Sequence, residues 1–209
     1  YQLYPKRDPF YEERVVKTAE EVRYIEAAQR ATEQAVAAAH DMLRQASIEK
    51  DELWFDGIPL TSERVKKLIN VALMENDCVA QHTIVAGGEQ ACDPHNEGSG
   101  PLPSHRSIIF DVFPRSATDR YFADMSRTVV RGTPSPELKR LYQTVLDAQE
   151  EAITKVKDGA DGKRIHQGIC TRFEKAGYKT GLVNGRMQGY FHGTGHGVGL
   201  DIHEMPRIS

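Results

Sequence analysis

Between Tyr190 and Pro206 the chain reads Tyr-Phe-His-Gly-Thr-Gly-His-Gly-Val-Gly-Leu-Asp-Ile-His-Glu-Met-Pro. Three of its eight histidines fall here, His192, His196 and His203, interleaved with Gly193, Gly195, Gly197 and Gly199. Imidazole ligates metals and titrates near neutral pH. Glycine lets backbone pass close to a ligand or reach positive φ. Together they suit a metal site or an acid–base site, although any single histidine could equally be a surface residue. His192 and His196 have the i, i+4 spacing of a helical zinc-peptidase motif, but the intervening glycines oppose a helix. The segment is therefore expected to be strand or turn, with metal partners drawn from elsewhere.

Two carboxylates are suited to that role. Asp111 sits in the apolar run Ser107-Ile-Ile-Phe-Asp-Val-Phe113, and Asp124 in Tyr121-Phe-Ala-Asp-Met-Ser-Arg-Thr-Val-Val130. The two runs, joined by a polar turn over 114–120, read as a β-hairpin. A lone buried carboxylate costs several kcal/mol unless something positive compensates, roughly 2–7 for even a neutral polar group. Arg127 could supply that charge, as could a divalent cation. Carboxylate plus imidazole suits Mn²⁺, Co²⁺, Fe²⁺ or Zn²⁺ more than Ca²⁺ or Mg²⁺.

The ordered set Asp111, Asp124, His192-Gly-Thr-Gly-His196-Gly and His203-Glu-Met-Pro resembles the pita-bread metallopeptidases: methionine aminopeptidase, aminopeptidase P, prolidase and creatinase. The resemblance runs from Lys17-Thr18 to Pro206. It implies an α+β pita-bread fold, pseudo-twofold, with a central antiparallel sheet and helices outside. It further implies two divalent metal ions, Mn first with Co, Zn or Fe as alternatives. The expected reaction is hydrolysis of an amino-terminal peptide bond by a metal-bridging hydroxide. By the same resemblance Asp111, Asp124 and His196 are metal ligands, while His95, His192 and His203 act on the substrate. Glu204 and Glu97 are not taken as ligands. A histidine four residues before the ligand histidine is similar to the Xaa-Pro enzymes, so the expected substrate is a peptide with proline at the second position. Two rival readings stand beside it: a non-catalytic peptide-binding module on the same fold, and a creatinase-like amidinohydrolase.

The family pattern also departs from this chain. Asp111 and Asp124 are thirteen apart, wider than usual, as if the turn carried an even-numbered insertion that preserves strand faces. The two glutamate ligands expected after His-Glu-x-Pro do not occur before Ser209. The expectation is a domain from 18 to 209 lacking its final strands, preceded by a lead-in over 1–17. Such a polypeptide alone should bind metal weakly and have little activity.

The elements that must position these residues follow from pattern. Thr18-Ala-Glu-Glu21 is a capping box, opening a helix to about Ala46 with Val22, Ile25, Ala28, Thr32, Ala35, Val36, Ala39, Met42 and Leu43 on its buried side. Residues 47–60 read as a connector anchored by Trp54 and Phe55. Thr61 or Ser62 caps a second helix to about Glu75. Cys78 to Ala86 reads as one strand, and 89–106 as loop. Ser135 and Pro136 open a third helix to about Lys157, with Leu138, Leu141, Val145, Ala148, Ala152 and Val156 as its stripe. A fourth runs from about Lys163 to Ala176 and stops at Gly177. Tyr178 to Gln188 reads as loop.

Composition narrows the class. The net charge of −3 argues against a nucleic-acid partner, and no apolar run approaches membrane-spanning length. Cys78, Cys92 and Cys170 are an odd number at unrelated spacings, which fits a reducing, cytoplasmic setting. A homodimer is left open by the sequence.

Overall fold

Thr18 starts the first helix by the exchange its sequence encodes. In the computed structural model, which describes residues 11–209, Thr18 Oγ1 accepts from the Glu21 N–H at 3.2 Å. Glu21 Oε2 accepts from the Thr18 N–H at 2.7 Å. Helix α1 then runs Ala19–Gln45. Residues 1–10 of the expected lead-in lie outside the described residues, and Glu12–Arg14 form a short 3-10 turn. The buried side of α1 begins later than its periodicity implies: Ala28, Ala31, Thr32, Ala35, Val36, Ala39 and Leu43 are buried, whereas Val22 is exposed. A 27-residue helix is about 40 Å long. Its first turns lie outside the main core and meet Tyr121 instead, through Glu21 and the ring of Tyr24.

The expected connector is instead a three-stranded antiparallel meander, β1 (Ser47–Glu49), β2 (Glu52–Phe55) and β3 (Ile58–Pro59). Lys50 and Asp51 turn the first hairpin at φ 50° and 65°, and Asp56 and Gly57 the second at φ 56° and 75°. Positive φ at both central residues is what a two-residue hairpin matching strand twist requires. The fully buried anchor is Leu53 rather than Trp54 or Phe55, which are half-buried.

Helix α2 (Ser62–Met74) is capped by Thr61, whose Oγ1 accepts from Arg64 N–H at 3.3 Å. Ser62 turns inward and donates to the Val85 carbonyl at 2.8 Å. The single strand expected over 78–86 is broken in two, β4 (Cys78–Val79) and β5 (Ile84–Gly87). Between them His82 takes φ 59°, which no continuous strand tolerates. β4 pairs with β7 (Arg115–Ser116), while β5 joins β6 (Ile108–Val112) and β8 (Met125–Val129) in the order β5-β6-β8. The hairpin is therefore real, but its connection carries β7 and is not a simple polar turn. The returning strand begins at Met125, not Tyr121. Ile108, Phe110 and Val112 face a core shared with α1 and α2.

Residues 139–197 and 203–209, with the described residues ahead of Lys17, form a second compact unit; residues 17–138 with 198–202 form the first. Helix α3 (Pro136–Lys155), which belongs to the second unit from Lys139 on, starts where Ser135 Oγ accepts from Leu138 N–H at 3.2 Å. Of its predicted stripe Ala148 and Ala152 are buried, while Leu141, Val145 and Val156 are exposed. Helix α4 (Gly162–Lys175) is capped by Asp161 and followed by Gly177 at φ 94°. Ile165, Ile169 and Phe173 pack with Ala148 and Ala152, and Tyr178, Tyr190 and Ile208 close this core. The expected loop over 178–188 holds a hairpin, β9 (Gly181–Val183) and β10 (Arg186–Gln188), turned by Asn184-Gly185 at φ 51° and 75°. Strands β11 (Gly195–Gly197) and β12 (Glu204–Ile208) carry the histidine segment, as strand rather than helix. Every ladder among the described residues is antiparallel, so both units are α+β.

Candidate metal centre

Strand alternation places the two aspartates. In β6 burial alternates, with Phe110 and Val112 buried and Asp111 half-buried between them. In the returning chain Ala123 and Met125 are buried and Asp124 between them is half-buried. Asp111 stands directly opposite Ser126 in the register. Asp124 lies two residues before Ser126, and successive side chains point to opposite faces, so both acids project from the face that points away from the core. Diagonal neighbours across such a pair lie about 7–8 Å apart, a span that accommodates two cations about 3.5–4 Å apart.

The Ser126 hydroxyl donates to Asp111 Oδ1 at 2.6 Å, a short charge-assisted bond that fixes the carboxylate. Arg127 does not compensate Asp111: it stands opposite Phe110 on the other face and donates to the Ser126 carbonyl at 2.8 Å.

In the other unit the ladder brings His196 and His203 together, ring centroids 4.4 Å apart at 74°. His196 Nδ1 lies 3.0 Å from the Gly197 carbonyl. A carbonyl oxygen only accepts, so Nδ1 carries the proton and the lone pair sits on Nε2. A ring nitrogen held to a backbone carbonyl is the usual companion of metal ligation through the opposite nitrogen. The register shifts between His196 and Gly197, a bulge of the kind that re-aims a side chain. A Cβ on Gly197 would stand 2.5 Å from the Met205 carbonyl oxygen, so only glycine fits there.

His192 is exposed and stacks on Phe191 at 4.7 Å. His95 is exposed in the first unit, its N–H donating to Asp93 Oδ1 at 3.0 Å. Among the described residues, no three His, Cys, Asp or Glu side chains gather as a metal-holding group. The two glutamates set aside as ligands are engaged otherwise. Glu97 Oε1 is 2.7 Å from His82 Nδ1, and the buried Glu204 accepts from the Arg14 guanidinium.

Sequence reasoning missed His166 on α4. Its Nδ1 lies 3.0 Å from Thr194 Oγ1, inside the histidine segment. Burial pushes the nearby Tyr190 hydroxyl above the usual tyrosine range. The one available signal was position: His166 and Cys170 flank the inward residues Ile165 and Ile169 of α4.

Taken separately, each unit carries donors suited to divalent metal: two half-buried carboxylates on one strand face in the first, and an imidazole with its lone pair on Nε2 in the second. The fold that carries them is that of a metal-dependent peptidase. The model of metallopeptidase family M24 matches residues 23–209, and the chain belongs to that family. It is 29% identical to an Xaa-Pro dipeptidase of Pyrococcus furiosus over 94% of this chain and 51% of that protein. A second Xaa-Pro dipeptidase, from Pyrococcus horikoshii, is 28% identical over 94% of this chain and 50% of its own length. Among solved structures, the prolidase from Pyrococcus furiosus superposes with a TM-score of 0.79 at 28% identity, covering 95% of this chain and 53% of that one. The X-Pro aminopeptidase from Thermotoga maritima gives 0.76 at 28% identity, covering 95% and 51%. The pita-bread fold expected from the sequence is thus the fold of this chain, which spans about half the length of these relatives.

Proposed function

We propose that the protein is an Xaa-Pro peptidase whose divalent metal ions are held by Asp111, Asp124 and His196. The observation that carries this reading is Asp111 standing opposite Ser126 in the β6–β8 ladder, with the half-buried Asp124 just ahead of β8, in a chain whose matched relatives are named Xaa-Pro dipeptidases. When bound, the ions supply Lewis acidity that makes water nucleophilic near neutral pH and polarises the scissile carbonyl.

The chain's own residues do the rest. Ser126 holds the Asp111 carboxylate in one orientation. The Gly197 carbonyl holds the His196 ring in the Nδ1–H tautomer. His203, packed edge-on against His196, donates a hydrogen bond to the oxygen on which charge develops as the peptide bond is attacked. His192 and His95, both exposed, contact the peptide. The substrate is a peptide with proline in the second position, and the metal is Mn²⁺ in first place. The three cysteines are unpaired, which supports a reducing, cytoplasmic setting. No helix among the described residues is long and apolar enough to cross a membrane.

The test is hydrolysis of an Xaa-Pro dipeptide by the full-length protein, stripped with chelator and then resupplied with Mn²⁺. Activity lost and regained supports the reading. Chelator-resistant turnover of an amidine substrate points to the amidinohydrolase instead. Peptide binding with no hydrolysis in Mn²⁺ points to the non-catalytic module.

A further inference from the structure

We propose that His166 is a positioning residue for the histidine segment, gripping the Thr194 hydroxyl so that the His196 ring is presented in one orientation. This rests on the reading of His196 as a metal ligand, but its geometry stands by itself.

Between His192 and His196 the chain is Gly193-Thr194-Gly195. Glycine backbone has the greatest conformational freedom of any residue. Thr194 is therefore the single side chain by which the fold can hold this stretch, and it is held through its N–H and its hydroxyl. Its N–H donates to the Ile208 carbonyl at 2.7 Å. The Tyr190 hydroxyl donates to Thr194 Oγ1 at 3.0 Å, and His166 Nδ1 lies 3.0 Å from the same oxygen.

Tyr190 donates to Thr194 Oγ1. The other polar atom bonded to that oxygen is His166 Nδ1, and in the arrangement proposed here it accepts the Thr194 hydroxyl proton. The proton of a neutral His166 is then on Nε2, which faces the Cys170 sulfur at 3.5 Å. Tyr190 is fixed in turn. Its ring stacks on Phe173 at 4.8 Å and 5°, and its backbone N–H donates to Thr180 Oγ1 at 2.9 Å. The chain Tyr190–Thr194–His166–Cys170 thus ties the flexible segment to the core-facing side of α4. Such chains strengthen one another when fully satisfied. Thr194 lies two residues from His196, so loss of the grip is felt as a change in how that ring is aimed.

The experiment uses full-length protein labelled with ¹⁵N in histidine. In the wild type the His166 signals should be those of the Nε2–H tautomer with an accepting Nδ1. Thr194→Val keeps the shape and removes the hydroxyl. It should shift the His166 tautomer balance, displace or broaden the His196 ring signals, and lower kcat on an Xaa-Pro dipeptide about tenfold, the low end for outer-shell changes, with KM nearly unchanged. Thr194→Ser restores the hydroxyl and should restore both signals and kcat. His166→Phe should reproduce Thr194→Val, and the double variant should lose no more than either alone. Unchanged His196 signals and kcat in Thr194→Val overturn the proposal, as does a Thr194→Ser variant as impaired as Thr194→Val. If the wild type hydrolyses no Xaa-Pro peptide while its His196 signals still respond to Thr194→Val, the grip stands and the peptidase reading falls.

Discussion

Gly197 offers a sharp test of how the histidine ladder is built. A methyl group there would lie 2.5 Å from Met205 O, 2.9 Å from Met205 C and 3.1 Å from Glu204 O. All three are backbone atoms, so none can rotate aside, and β11 must move away from β12 to restore contact. Forcing one methyl into a packed site costs about 1–3 kcal/mol; with the obstruction entirely main chain, about 2 kcal/mol is expected. For a chain of this size that lowers Tm by roughly 4–8 °C. Gly168, in α4, is the control. Its added Cβ would meet only the Lys155 Nζ at 3.7 Å, so Gly168→Ala should raise stability by about 0.5–1 kcal/mol through helix propensity alone. Thermal unfolding of the 209-residue chain followed by circular dichroism reads both. A Gly197→Ala variant that melts with the parent, or the two variants shifting in the same direction, would refute the reasoning.

Arg14→Met removes the guanidinium that meets Glu204, whose side chain is 7% exposed against 32% for Arg14. Losing one partner of a fully buried pair costs about 3–5 kcal/mol. With Arg14 partly solvated the expected loss is about 2 kcal/mol by urea unfolding, and a change below about 0.5 kcal/mol would contradict it. The Tyr121 hydroxyl, then Thr18, hold Glu21 down at about pKa 2 against an ordinary 4.5. A depressed carboxylate contributes stability above its unfolded pKa and loses it as pH falls from about 4.5 through 2. Tyr121→Phe removes the largest cause, so the drop in Tm between pH 7 and pH 3 should shrink. An equal drop in parent and variant counts against that assignment.

Several elements were legible because local chemistry dictates them. The capping box at Thr18–Glu21 forms as written, and the alternation around Asp111 appears in the burial of β6. Two hairpins were also written in the sequence. Asp56-Gly57 and Asn184-Gly185 are the dipeptides that two-residue turns prefer, yet the short strands beside them are too weakly periodic to stand out. The break at His82 was not legible. The run from Cys78 to Ala86 stays β-like, and only pairing with different partners splits it. Leu141, Val145 and Val156 repeat at helical spacing but are exposed; periodicity reports an apolar face, not what covers it. His166 was invisible for a related reason. Its partner Thr194 lies 28 positions away, and no local pattern joins them.

Divalent-metal binding reaches the central claim most directly. Mn²⁺ titrated into the metal-stripped full-length protein by calorimetry should fill two sites per chain, and Asp124→Asn should fill at most one. No binding by the parent, or the same stoichiometry and affinity after Asp124→Asn, would contradict the assignment of Asp111, Asp124 and His196 to a shared metal centre.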